Sequence, residues 1–167
     1  MDCFATSAEG AVPVRIVTRD GLEAWMQQAT TAEANWVRAH KFDASPARHI
    51  VVPGKDGGIG QVLVARADPA GPFVLGDLQN ALPEGTVVQL ADDPGVLEGT
   101  TLAIGFALGS YRFDRYRKNS RAPVRMVPPA QADMARVEAI AESIALGRDL
   151  INTPAEDMGP AELTGAI

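Results

Sequence analysis

The sequence predicts an α/β fold, a sheet of about five strands flanked by helices and followed by one long C-terminal helix. Three observations carry this. Short β-branched runs at Val14–Thr18, His49–Pro53, Gln61–Arg66, Thr86–Leu90 and Val124–Val127 alternate with stretches whose apolar residues recur every three or four positions. Read along the chain, the order is β-α-α-β-β-α-β-α-β-α. The 167 residues suffice for one core of ordinary size.

Val14-Arg-Ile-Val-Thr18 is the first strand, and Asp20-Gly21 opens a helix. Leu22, Trp25, Met26 and Ala29 share one helical face. Thr30 or Thr31 then caps a second short helix, whose inner face carries Ala34, Val37 and Trp36 and whose end is His40. Both tryptophans read as core or rim aromatics, since no convergent polar groups stand beside them in sequence.

The next two strands flank Gly54-Lys-Asp-Gly-Gly-Ile-Gly60. A phosphate-binding loop would end in Gly-Lys-Ser/Thr and enter a helix; this one begins with Gly-Lys and enters a strand. Asp56-Gly57 between two β runs signals a hairpin instead. Asp68–Pro72 is a connector, and Val74–Leu82 holds a short helix or turn ending at Pro83. Asp92-Asp-Pro-Gly95, after the fourth strand, could suggest a metal, but adjacent carboxylates before a helix are more often caps.

The helix from Val96 to about Arg112 is apolar nearly all round and should be mostly buried, with Leu97, Ile104, Leu108 and Tyr111 on one line. Gly99, Gly105 and Gly109 within it imply close backbone approach. Tyr111–Lys118 then interleaves aromatics with Arg112, Arg115, Arg117 and Lys118. That pattern can serve single-stranded nucleic acid, but a helix exit with Phe113 and Tyr116 tucked in fits the chain's charge better. Asn119–Pro123 is a polar loop.

The long helix that follows places Val137, Ile140, Ala141, Ile144 and Ile151 on one face, where they call for a core. Leu146 and Leu150, with Ala135 and Ala139, form a second apolar line, so the helix should be clamped between two bodies. Pro154 stops it near Asn152. Gly159-Pro160 with Glu162 opens another helix that has reached only Ile167, too short to stand alone. The sequence is therefore expected to continue into a further domain.

Lys plus Arg number 15 against 21 Asp plus Glu, giving a net charge of -6 and a pI near 4.9, which argues against a surface built wholly for nucleic acid or anionic membrane. Cys3 is the single cysteine, in what reads as an unstructured leader, so no internal disulfide forms and a reducing, cytoplasmic setting is expected. The first dozen residues lack the features of a secretory signal, and no apolar run is long enough to span a bilayer.

Gly147-Arg-Asp-Leu-Ile-Asn-Thr-Pro-Ala-Glu-Asp-Met-Gly-Pro-Ala-Glu-Leu163 resembles the segment that joins the N-terminal to the catalytic domain in leucyl (cytosol) aminopeptidases, which are dinuclear metallo-exopeptidases. Ala107–Lys118 resembles the helix-end motif that the same family carries shortly before that junction. The resemblance implies a mixed sheet between helices, related to the macro-domain fold. It also implies a parent enzyme with two divalent metal ions, zinc or manganese, that activate water on a peptide's first scissile bond.

The metal-ligand segments of that family, an Asp-Thr-Gly-Gly stretch and an Asn-Thr-Asp-Ala-Glu-Gly-Arg stretch, do not occur here. Asn152-Thr-Pro-Ala-Glu-Asp157 is a superficial match to the second, but Pro154 stands where a ligand Asp would be, and proline coordinates nothing. His40 and His49 lie on different elements with no carboxylate at ligand spacing. The expectation is thus no catalytic, cofactor-binding or metal-ligating residue in this chain.

The expected organisation is an N-terminal α/β domain over 1–129, a linker helix over 130–152 and the start of a catalytic domain over 153–167. Its partners would be that catalytic domain, further copies in a homo-oligomer, and a peptide substrate held by the missing part; membrane is excluded and nucleic acid disfavoured. The alternative is a stand-alone binding module, for a nucleotide derivative around Gly54–Gly60 or for nucleic acid at Arg112–Lys118.

Overall fold

The computed structural model describes residues 2–66, 71–117 and 120–166, the side chain of Val96 excepted. Parts of the expected connector at 68–72, of the basic stretch at Lys118 and of the polar loop at Asn119, together with Ile167, lie outside the described residues. The elements run β1 (Val12–Val17), α1 (Arg19–Gln28), α2 (Thr31–Ala39), β2 (His49–Pro53), β3 (Ile59–Ala65), a 3-10 turn (Pro72–Leu75), α3 (Leu78–Ala81), β4 (Val87–Leu90), α4 (Gly95–Gly109), β5 (Arg125–Met126), α5 (Met134–Asn152) and α6 (Pro160–Ala166). One mixed sheet of order β2-β3-β1-β4-β5 results, with β2 antiparallel to β3 and the other pairings parallel.

Local chemistry sets the boundaries. The Thr18 hydroxyl caps α1 by accepting from the Gly21 N–H. Thr30 opens α2 in a full capping box, its side chain accepting from the Glu33 N–H while the Glu33 carboxylate accepts from the Thr30 N–H. The β2–β3 turn is the expected hairpin: Gly57 has φ +83°, and the Gly54 N–H donates to the Gly58 carbonyl at 2.8 Å. That turn spends its backbone donors internally.

Two apolar cores lie on opposite faces of the sheet. Beneath α3 and α4, Val14, Val62 and Val88 meet Leu75, Leu78, Leu82, Leu102 and Phe106. Beneath α1 and α2, Val17, Ile50, Val52 and Leu63 meet Leu22, Val37 and Phe42. The glycines of α4 give the close approach that the sequence implied, since a Cβ on Gly105 would sit 1.5 Å from the Pro72 carbonyl oxygen and one on Gly109 2.3 Å from that of Gly76. Buried Gln79 pairs with the backbone ahead of β5, donating to the Val124 carbonyl at 2.9 Å and accepting from its N–H at 3.2 Å.

At the open edge, the Trp36 indole N–H donates to the Val51 carbonyl at 2.9 Å, and Pro53 offers no N–H at all. Both blunt the edge strand against pairing with another chain. Trp36 is therefore a rim aromatic, stacked against His40 with ring centroids 4.3 Å apart.

Four expectations need correction. Cys3 is not in a loose leader: it is buried, and the Met126 N–H donates to its carbonyl, so residues 3–5 extend the β5 edge. Burial pushes its thiol pKa up. Helix α4 ends at Gly109 rather than near Arg112, where the Ser110 hydroxyl turns back to the Ala107 carbonyl, and Leu97 in its first turn is 82% exposed. Tyr116 is not tucked in but 54% exposed. On α5, Val137 and Ala141 are buried against α4, whereas Ile144 and Ile151 are exposed.

Candidate functional site at the junction of two motifs

The two stretches that stood out in the sequence, 107–118 and 147–163, meet in the structure, the first through its described residues 107–117. Tyr111 sits just past the end of α4 and donates its hydroxyl hydrogen to Asp149 Oδ1 at 2.7 Å, while Asn152 Nδ2 donates to the same hydroxyl at 3.1 Å. The Arg148 guanidinium lies 5.2 Å from the Tyr111 ring centroid and reaches back to the Leu108 carbonyl at 2.9 Å. The last turns of α4 and α5 are thereby tied by an aromatic, a carboxylate, an amide and a cation.

The second tie is one step further out. The Tyr116 hydroxyl donates to Asp157 Oδ2, its ring packing edge-on against Phe113 at 5.8 Å between centroids. Asp157 is held in its own turn by an N–H bond to the Pro154 carbonyl at 2.9 Å. Thr153, buried at the end of α5, closes that helix by donating from both N–H and hydroxyl to the Asp149 carbonyl. A proline next in line makes this stop obligatory.

Electrostatics follow from these bonds. Desolvation and then the Asp149 carboxylate push the Tyr111 phenol above its ordinary pKa; for Tyr116 the bond to Asp157 is the largest cause of the same upward push, with desolvation second. Both phenols stay protonated donors across the neutral range.

Between the two motifs lies a cleft of about 580 Å³, with Arg112 to Arg115 on one wall, Leu146, Asp149 and Leu150 of α5 on another, and Met158 and Ala166 on the third. The second apolar line of α5 thus opens into this cleft. Leu146 is 44% exposed. Leu163, on α6, is also exposed.

The remaining sequence candidates are dispersed. Asp92 holds Arg15 at 2.7 Å, and Asp93 accepts from the Gly95 N–H at 2.9 Å in a turn ahead of α4; the capping expected of this pair is not made, since the N-cap of α4 is Pro94 with no side-chain bond. His40 and His49 are exposed on separate elements. Among the described residues no three His, Cys, Asp or Glu side chains stand together so as to hold a metal ion. The residues present do not fit a two-metal centre, and Asp157 of the superficial metal match is already engaged by Tyr116. Sequence reasoning missed the two Tyr–Asp pairs. The available signal was that each motif carries two members of them, Tyr111 and Tyr116 in one, Asp149 and Asp157 in the other.

Residues 12–129 match the family model described as M17 aminopeptidase, N-terminal domain. This chain belongs to the M17 aminopeptidases as their N-terminal domain. The M17 domain is 35% identical over 112 residues to the probable cytosol aminopeptidase of Mycobacterium marinum, covering 60% of this chain and 20% of that protein. A second such protein, from Mycobacterium ulcerans, is 36% identical over 87 residues, 46% of this chain and 17% of its own length. Its fold is similar to that of the cytosol aminopeptidase from Coxiella burnetii, with a TM-score of 0.88, 31% identity, and coverage of 99% of this chain and 36% of that one. The bottromycin maturation enzyme BotP in complex with Mn shares the fold at a TM-score of 0.65 and 24% identity, covering 93% of this chain and 35% of that chain. The M17 domain thus spans about a third of these solved chains and a fifth or less of these curated relatives.

Proposed function

We propose that this domain is the non-catalytic part of a metal-dependent aminopeptidase that removes N-terminal residues from peptides in the cytoplasm, and that it scaffolds assembly and access to the active site. The observation that carries this is the pairing of Tyr111 with Asp149 and of Tyr116 with Asp157, which fixes the direction in which the chain leaves α5. Residues 1–129 are the α/β domain, 130–152 the linker helix, and 153–167 the opening of the catalytic domain. Leu146 and Leu150 in the junction cleft supply apolar surface for that domain.

The two divalent ions, zinc or manganese, would be held beyond these residues; when bound they supply an activated water and a polarised carbonyl. This chain's own contribution is positional. Partners are the catalytic domain in the same polypeptide and further copies of the protein. No helix among the described residues is long and apolar enough to cross a membrane.

The test compares hydrolysis of leucine p-nitroanilide, with manganese or zinc present, by this chain and by the protein produced from the gene read past Ile167. The expected result is activity in the longer protein alone. Activity of the 167-residue chain, or a gene ending at Ile167, would overturn the reading.

A further inference from the structure

On the face of the sheet opposite α4, a cleft of about 390 Å³ opens between α1, α2 and the strands β1 and β3. Arg15, Trp25, Gln28, Glu33 and Gln61 line it, with the backbone of Gly21 at its rim. It is separate from the junction cleft and shares no residue with it.

Arg15 is held from one side. Its Nη1 binds both carboxylate oxygens of Asp92, at 2.9 and 2.7 Å. The other edge of the guanidinium, Nε–H with Nη2–H, is the fork that fits a carboxylate in two parallel bonds. Nε is buried and has no hydrogen-bond partner among the described residues. A buried donor without an acceptor is costly, and here it belongs to a side chain lining an open cleft.

Across the cleft, a fixed relay presents an anion. The Trp25 indole donates to Gln61 Oε1 at 3.3 Å, and since indole can only donate, the Gln61 amide nitrogen is turned to Glu33 Oε1 at 3.1 Å. Glu33 Oε2 is occupied by the Thr30 hydroxyl and N–H. Those bonds from Thr30, the side-chain one first, hold the Glu33 carboxyl below its ordinary pKa, so it is ionised at neutral pH. Oε1 keeps a lone pair for one further donor.

A free cationic fork and an ionised carboxylate on one cleft, which the Trp25 indole also lines, match a molecule carrying opposite charges at its two ends. Arg15 pairs in register with Leu63. Gln61, whose amide reaches Glu33, lies two residues along the same strand face. The cleft of about 390 Å³ exceeds a single amino acid and suits a chain of two or three residues. The geometry points to a binding site for short zwitterionic peptides, with the peptide carboxylate on the Arg15 fork, its ammonium on Glu33 and its first side chain against Trp25.

The reading stands apart from where hydrolysis occurs and is tested on this chain itself. The 15N-labelled chain is titrated with alanyl-alanine and trialanine while the Trp25 indole resonance is followed. Alanine, alanyl-alanine amide and N-acetyl-alanyl-alanine serve as comparisons. The zwitterionic peptides should give a saturable shift at millimolar concentration, and the amide and acetyl forms should bind at least about tenfold more weakly. Arg15→Lys keeps a cation beside Asp92 but loses the fork, and Glu33→Gln keeps the capping box but loses the charge. Each should weaken binding about tenfold while the melting curve stays cooperative. The proposal is overturned by no saturable shift, by equal binding of the blocked peptides, by alanine binding as tightly as the peptides, or by unchanged affinity in both variants.

Discussion

Tyr111 and Asp149 are 38 residues apart in sequence and 2.7 Å apart in the structure, and through that bond the end of α4 governs the end of α5. Removing the hydroxyl in Tyr111→Phe leaves the Asp149 carboxylate without its phenol donor and frees Asn152 Nδ2. The cost is about 1 kcal/mol. Amide exchange should rise over residues 149–159 and stay unchanged in β1 and β3. At high pH the wild type should show the same loosening. The folded phenols titrate above their unfolded value, so their contribution is complete below about pH 10 and declines as pH rises past it.

Two glycines give opposite predictions for one substitution. Gly105→Ala drives a methyl into the Pro72 carbonyl, an atom of the backbone that cannot step aside, and should cost at least about 3 kcal/mol or prevent folding. Gly147→Ala meets nothing within 4 Å and lies inside α5, so it should stabilise by about 0.5–1 kcal/mol. Urea titrations of the two variants check both signs.

Gln79 does a strand's pairing with a side chain. Gln79→Leu keeps the volume but strands the N–H and C=O of Val124 in the core, at a cost of about 2–5 kcal/mol. Gln79→Glu should be nearly as damaging, since a carboxylate cannot donate to the carbonyl. A melting experiment distinguishes lost bonding from lost packing, because a purely steric role would tolerate Leu, which fills the same volume.

The capping box of α2 predicts a pH signature. Glu33 is held below its ordinary pKa by Thr30, so the stability it brings is present above the unfolded value and is lost as pH falls through the folded one. Thr30→Ala should cost about 1 kcal/mol at neutral pH. The gap between variant and wild type should narrow below about pH 4. Chemical denaturation across that range measures it.

The element order and the hairpin were legible because they rest on short-range rules. Asp56-Gly57 dictates its turn locally, and Thr30 three residues before Glu33 dictates its cap. Errors came where distant segments decide. Nothing near Cys3 says that Met126 will bond to it, and the stripe from Val137 to Ile151 says where a core would be wanted without saying that Ile144 and Ile151 will be left outside it. The cleft under Arg15 was invisible for the same reason. Its residues, at positions 15, 25, 33 and 61, come from four elements, and only the sheet register gathers them.

The bond from Trp36 to Val51 also bears on synthesis. Helix α2 precedes β2 in the chain, so a nascent polypeptide releases the shield before the strand it covers. When the hairpin of β2 and β3 forms, the indole that covers its outer carbonyl has already been synthesised, so the edge need not wait for a later segment to be covered.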